Sequence, residues 1–341
     1  MKKLVYLFIS LFVFSLTLGA SPAKAAEYNW KLAHEELPGG FMDAIATEFA
    51  KRLAEKSNGR IELGIFHSGT LGTHEDMVEL VQNNAIQFNF ADIGHVGTMV
   101  TEAQALLLHY IFPRDSDASA YVLQQGTFRD VLDPLFRAKH IEPLAYYSEG
   151  WNVWTSNKPL HTPEDFKGLK FRTMASRLIV DNYKAYGANP TPVPWSEVYS
   201  GLQLNMIEGQ ENPTFLIHDF KIYEVQKYIT FGYTAPFILT LITNTEFFAG
   251  LPEDIRKIVK ETATELVPYG FKWADEFNKR QLDAMIKARS DLVVEYLTDD
   301  EIAVFEKLAK PVRNVFLEMA PEHGLAVLEA LEKDIKAAKN K

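Results

Sequence analysis

Two stretches of this chain carry side chains able to grip a small anion. In GLKFRT, Gly168 to Thr173, Arg172 stands near the end of a short apolar-alternating run. Its planar guanidinium offers two parallel N–H groups that match a carboxylate. The bare spacing leaves a second reading open, an exposed strand arginine in a surface ion pair. In EVYSGLQLNMIEGQENP, Glu197 to Pro213, a helical half is followed by Glu, Gln, Glu and Asn ahead of a proline. The backbone of Asn212 is pushed to an extended conformation by Pro213, at an expected helix-to-strand boundary. Its amide both donates and accepts, which suits the wall of a polar pocket and equally an ordinary turn.

Other chemistry has no support in the sequence. There is no G-x-S-x-G elbow, no P-loop and no G-x-G-x-x-G. The chain has no cysteine, which removes thiol nucleophiles and thiolate metal sites. His34-Glu35-Glu36 falls on an expected strand, where neighbouring side chains point to opposite faces. His67 and His74 flank a Gly-rich turn without the i, i+4 spacing of a helical metal pair. No catalytic residue, metal or cofactor is assigned.

The elements that must position these groups alternate. YNWKLAHEE reads as a strand, and FMDAIATEFAKRLAEKSNG as a helix with Phe41, Ile45, Phe49 and Leu53 on one face. RIELGIF is a second strand, and GTHEDMVELVQNNAIQF a second helix with Thr73 as its N-cap. That rhythm is the signature of a parallel α/β sheet. Further on, PLAYYSEG, WNVWTSN, LKFRT and FILTLITN read as strands, Ser196 as the cap of the helix that follows, and Pro252 to Leu292 as one long helix. Two more helices close the chain. Trp151, Trp154, Trp195 and Phe215 read individually as core aromatics.

The ends and the charge set the compartment. Met1-Lys2-Lys3, the 17-residue apolar run Leu4 to Ala20 and the Ala23-Lys24-Ala25 site have the order of a secretory signal peptide, with cleavage expected after about Ala25. Three of the 35 basic residues lie in that leader, leaving 32 against 45 acidic ones. So acidic a chain is a poor match for nucleic acid or anionic lipid.

The motifs AHEE, SNGRIELGIFHSGTLG, TPEDFKGLKFRT, YGANPTPVPWSEVYSGLQ and IEGQENP occur in this order. The chain thereby resembles the DctP-type solute receptors of tripartite ATP-independent periplasmic (TRAP) transporters. The stretch from FRTMAS to SGLQ is most similar to the ectoine-binding branch. The resemblance implies an α/β fold with two domains around a cleft, hinge strands between them, and a long helix spanning both. The expected division is 26–149 plus about 238–277 for domain I, and 150–237 plus about 278–341 for domain II. It implies a periplasmic, monomeric receptor, not an enzyme, that hands a small anionic or zwitterionic solute to small and large membrane subunits.

The same resemblance assigns roles. Arg172 and Asn212 would hold the solute carboxylate, Glu36 its cationic part, and Phe215 would stack on or cap it, with Trp195 a further pocket residue. Asn152 stands where many members carry a second arginine, which disfavours dicarboxylates and sialic acid. His95 stands where the ectoine branch has an aromatic, placing a polar, pH-sensitive group beside the solute. The ligand expected is a small organic acid; an ectoine-like zwitterion and an isethionate-like sulfonate are the alternatives. A periplasmic α/β hydrolase or lyase is the alternative of another class.

Overall fold

A computed structural model describes residues 25–339. The expected leader, Met1 to Ala25, lies outside those residues but for its final Ala25.

Eleven strands form two sheets. In chain order they are β1 (Tyr28–Ala33), β2 (Ile61–Phe66), β3 (Phe88–Asp92), β4 (Ile141–Trp151), β5 (Val153–Ser156), β6 (Lys170–Thr173), β7 (Asn189–Pro192), β8 (Gly209–Asn212), β9 (Tyr228–Phe231), β10 (Pro236–Asn244) and β11 (Val293–Tyr296). The first sheet has the order β2-β1-β3-β10-β4, and the second β11-β9-β5-β8-β6-β7. β1 pairs in parallel with β2 and β3, whereas β10 runs antiparallel between β3 and β4. The central strand β3 is buried throughout, and the edge strand β2 buries only Ile61 fully.

The chain passes between the sheets three times, twice directly from strand to strand at adjacent points and once from β10 to β11 through the helix Glu253–Ala288. β4 ends at Trp151 in the first sheet, and β5 starts at Val153 in the second. The return runs from β9 to β10 through residues 232–235. The N–H of Asn152 donates to Ala235 O at 3.1 Å, so the two crossings are tied together.

Helices cover both sheets. Phe41–Lys56 buries Phe41, Met42, Ile45, Ala46, Phe49 and Leu53, the face read from its period. Thr73 caps His74–Gln82 in a reciprocal capping box with Asp76. The helix Glu253–Ala288 has 36 residues, about 54 Å at 1.5 Å per residue. Ile255 to Phe277 enter the core under the first sheet, and Met285 enters the core beside the second. It is therefore the bracing helix that the resemblance implies.

Four readings change. Ser196 is not a helix cap: Pro194 starts a one-turn 3-10 helix, Trp195–Glu197, and the α-helix Val198–Gln203 begins after it with Glu197 at the N-cap. Proline fixes φ and supplies no N–H, so the tight turn forms first. Strand β1 stops at Ala33, so His34-Glu35-Glu36 lies beyond it. Asn212 ends a strand and precedes the helix Thr214–Asp219, rather than leading from helix to strand. Three helices close the chain: Asp299–Ala309, Val312–Met319 and Gly324–Ala338. The last packs against the helices Ser116–Gln125 and Phe128–Arg137.

Candidate functional site

A cavity of about 390 Å³, open on one side to solvent, lies between the two sheets. Arg172 and Asn212 reach it from β6 and β8 of the second sheet, and Glu149 from β4 of the first. Glu36 enters from the turn after β1, Trp195 from the 3-10 helix and His95 from the one-turn helix Ile93–Val96.

Arg172 is only 3% exposed. Its Nε donates to Val193 O at 2.9 Å, and its guanidinium carbon lies 5.6 Å from the centre of the Trp195 ring. Neither terminal nitrogen has a hydrogen-bond partner among the described residues. Burial pulls its pKa down to about 10, against the opposing charges of Glu211, Asp92 and Glu35. The side chain therefore remains a cation at neutral pH, pre-aimed and with a free fork.

The polar run before Pro213 is a buried strand. Gln210 and Asn212 share one face, as the period of two requires. Asn212 Nδ2 donates to Gln210 Oε1 at 2.6 Å, and Gln210 Nε2 donates to Thr155 Oγ1 at 3.0 Å. That chain fixes the Asn212 amide and leaves its oxygen and second N–H for a guest. Glu211 points to the other face and accepts from Tyr183 Oη at 2.5 Å, while Tyr183 in turn accepts from Trp154 Nε1 at 3.0 Å.

The opposite wall is acidic. The N–H of Glu36 donates to His34 Nδ1 at 3.2 Å, a local turn that swings the Glu36 side chain inward. Glu36 Oε2 accepts from Met42 N–H at 2.8 Å. Gly40 permits this approach, since a Cβ there would sit 2.3 Å from the same oxygen. Burial pushes the Glu36 carboxyl up to about 8. Glu149, fully buried, is held well above the usual carboxylate range, first by burial and then by Glu36.

His95 forms the third side. Its backbone N–H and its Nδ1 contact the two oxygens of Asp92 at 3.1 and 2.7 Å. Burial lowers its pKa, but the Asp92 carboxylate outweighs burial and the net shift is upward. The His95 ring stacks on His74 at 4.1 Å, and His74 Nε2 lies 2.5 Å from Glu35 Oε2. Donor atoms of His74, Asp92 and His95 converge within 4.8 Å, as do those of His34, Asp43 and His67. His67, His74 and His95 each have a ring nitrogen within 2.8 Å of a carboxylate oxygen, whereas His34 Nε2 lies 3.8 Å from Asp43 and makes no hydrogen bond among the described residues.

Of the residues singled out in the sequence, Arg172, Asn212, Glu36, His95 and Trp195 line this one cavity. Asn152 lines a neighbouring space of about 310 Å³ that shares Met174 and Phe237 with it. Phe215 faces the core, 1% exposed and 5.4 Å from the Phe277 ring, and its neighbour Leu216 lines the cavity instead. Asn278 Oδ1 accepts the Phe215 N–H at 3.1 Å at the start of that short helix. Glu149 and His74 were missed. The signal for Glu149 was an acid inside a strand otherwise buried from Ile141 to Ser148.

Comparison with known proteins follows the same lines. Residues 32–319 match the family described as DctP, bacterial extracellular solute-binding protein, family 7. The ectoine-binding periplasmic protein TeaA of Halomonas elongata is 33% identical over 327 residues, covering 96% of this chain and 95% of that protein. The ectoine/5-hydroxyectoine-binding periplasmic protein UehA of Ruegeria pomeroyi is 32% identical over 340 residues, covering 99% of each. The solved structure of the periplasmic ectoine-binding protein from the TeaABC TRAP transporter of Halomonas elongata superposes with a TM-score of 0.87 at 32% identity, over 91% of this chain and 99% of that one.

Proposed function

We infer the function from one premise: the chain belongs to the bacterial extracellular solute-binding proteins, family 7, the DctP-type receptors of TRAP transporters. It is a solute receptor rather than an enzyme. The solute we propose is a small zwitterion of the ectoine type, with a carboxylate on Arg172 and Asn212 and a cationic end on the acidic wall.

The observation that carries this reading is the charge layout of a single cavity. One guanidinium with a free fork faces two buried carboxyls, Glu36 and Glu149, that lack a cationic partner among the described residues. A simple anion would satisfy the first group and crowd the second. The likeness to TeaA and UehA supports the same class. A second reading, a small monoanionic organic acid or sulfonate, draws on His95, whose raised pKa favours a cation on the cavity wall.

We take the two lobes to be built on the two sheets, joined at the Trp151–Val153 and 232–235 crossings. Solute binding then favours closure, because the closed state adds contacts from the second lobe and excludes water. The exported receptor, cut after about Ala25 and monomeric, delivers its cargo to the small and large membrane subunits.

Isothermal titration against ectoine, 5-hydroxyectoine, succinate and isethionate tests this. Tightest binding of a zwitterion is expected. Binding of succinate or isethionate with no binding of either zwitterion would discard the zwitterion and keep the organic-acid or sulfonate receptor.

A further inference from the structure

We propose that Glu149 is a positioning acid: it keeps its proton and donates it to Glu36, so that the pair offers the solute a single negative charge. The proposal rests on the zwitterion reading above for its ligand, but on the ligand-free structure for its geometry.

Glu149 sits in β4, 0% exposed, and neither of its carboxyl oxygens meets a donor among the described residues. Glu36 lies beside it, 3% exposed, with Oε2 on the Met42 N–H and Oε1 buried without a donor. Asp43 and Asp219 act on Glu36 and Asp92 on Glu149, while Glu35, His74, His95 and Arg172 line the same cavity and His34 Nδ1 accepts the Glu36 N–H. Arg172 lines the same cavity but makes no ion pair with either carboxyl.

Two ionised carboxylates side by side in a dry wall repel, and each lacks solvation. One proton between them turns repulsion into a hydrogen bond. The asymmetry decides where it resides. Glu36 has a backbone N–H that stabilises its carboxylate; Glu149 has none. The protonated member is therefore Glu149, and its O–H finds its acceptor in the otherwise orphaned Glu36 Oε1. Burial raises both groups and Glu36 adds to the rise of Glu149, so the pair ionises first at Glu36, above about pH 8 in the empty cavity or when a cationic group arrives beside it.

The consequence is selectivity by charge count. A pair with one proton carries one negative charge, which one cationic group neutralises. An unprotonated pair would suit a dication, and a doubly protonated pair a neutral hydroxyl. Glu149 thus sets the charge that Glu36 presents.

Infrared spectroscopy of the ligand-free, full-length mature chain at about pH 9, above the Glu36 value of about 8, tests the proton directly. A protonated carboxyl band that disappears in Glu149→Gln is expected; absence of the band, or its persistence in Glu149→Gln, would overturn the proposal. Titration with ectoine adds a binding readout. Glu149→Ala should weaken binding about tenfold, the equivalent of 1.4 kcal/mol, and Glu149→Gln, isosteric with the acid form, should recover most of that loss. Failure of Gln to rescue would overturn it. The two readings fail separately. A band without ectoine binding keeps the acid pair and discards the zwitterion; ectoine binding without a band does the reverse.

Discussion

The guanidinium of Arg172 lies over the ring of Trp195, 5.6 Å from centroid to carbon, while its Nε is tied to Val193 O at 2.9 Å. These two contacts hold the fork before any solute arrives. Val193 and Trp195 belong to the Pro-rich stretch PTPVPW, whose prolines restrict the backbone and limit what the arginine could do instead. Preorganisation of this kind reduces the ordering cost of binding.

Arg172→Ala should weaken solute binding on the order of 30-fold or more, from the 2–5 kcal/mol cost of removing one member of a buried charge pair. Arg172→Lys should recover only part, because an ammonium lacks the fork. Trp195→Ala should cost about tenfold through loss of the desolvated cation–π contact, worth about 2 kcal/mol at most sites of this kind. Calorimetric titration measures all three, and wild-type affinity in Arg172→Ala would remove that residue from the site.

The acidic wall predicts a pH profile for the empty receptor. The Glu36 carboxyl is raised from 4.5 to about 8, and Glu149 is raised well above the usual carboxylate range. Between those values the folded chain binds more protons than the unfolded chain, so stability falls as pH rises. His95 acts in the same sense. Its folded pKa is raised, so its contribution is present below the unfolded value of 6.5 and is lost as pH rises through the folded one. The thermal midpoint of the ligand-free protein should therefore decline between about pH 5 and pH 9, and Glu149→Gln should flatten part of that decline. A midpoint that climbs across this window would contradict the protonation states assigned to the cavity.

Phe215 and Leu216 separate packing from binding. Phe215→Ala should destabilise the fold by about 3–5 kcal/mol, the usual cost of truncating a buried phenylalanine. The ring fills core beside Phe277 and touches no part of the cavity lining. Leu216→Ala should instead weaken solute binding with a smaller loss of stability, since Leu216 lines the cavity at 6% exposure. Denaturant melts and titrations on both variants check the split. The opposite pattern would place Phe215 on the solute.

Local signals reached some of this architecture and not the rest. The helices at Phe41–Lys56 and Glu253–Ala288 were legible because a long apolar period repeats a signal many times. Arg172 and Asn212 were legible as chemistry, but their convergence is a tertiary fact: β6 and β8 are adjacent in the sheet though 37 residues apart from Arg172 to Gly209. Which of Phe215 and Leu216 lines the cavity is not legible locally, because a six-residue helix carries too few residues for its phase to be read. Glu149 hid in plain strand pattern, since nothing local says that the carboxyl meeting it comes from Glu36. The His74–His95 stack is likewise invisible along the chain, where the two rings are 21 positions apart.

Asn278, on the long helix, ties the two halves of the cavity together. Its Nδ2 donates to Glu149 O at 2.6 Å, and its Oδ1 accepts from Thr214 Oγ1 at 2.8 Å and from the Phe215 N–H at 3.1 Å. One amide thus braces the backbone of the acid wall and the segment directly after Asn212. Gly150 leaves room for it: φ is +103°, and a Cβ there would lie 2.8 Å from Asn278 Nδ2. Asn278→Ala removes the side-chain partner of a carbonyl and an N–H, each buried group costing about 1–3 kcal/mol when left unpaired, while the Thr214 hydroxyl keeps the Asn278 backbone oxygen at 3.0 Å. The expected outcome is a lower thermal midpoint together with at least about tenfold weaker solute binding, because Glu149 and Asn212 both lose their support. Gly150→Ala should reproduce the effect by pushing the same amide aside. Thermal melts and titrations measure the pair, and a variant that loses stability while keeping full affinity would show that the brace serves the fold without shaping the site.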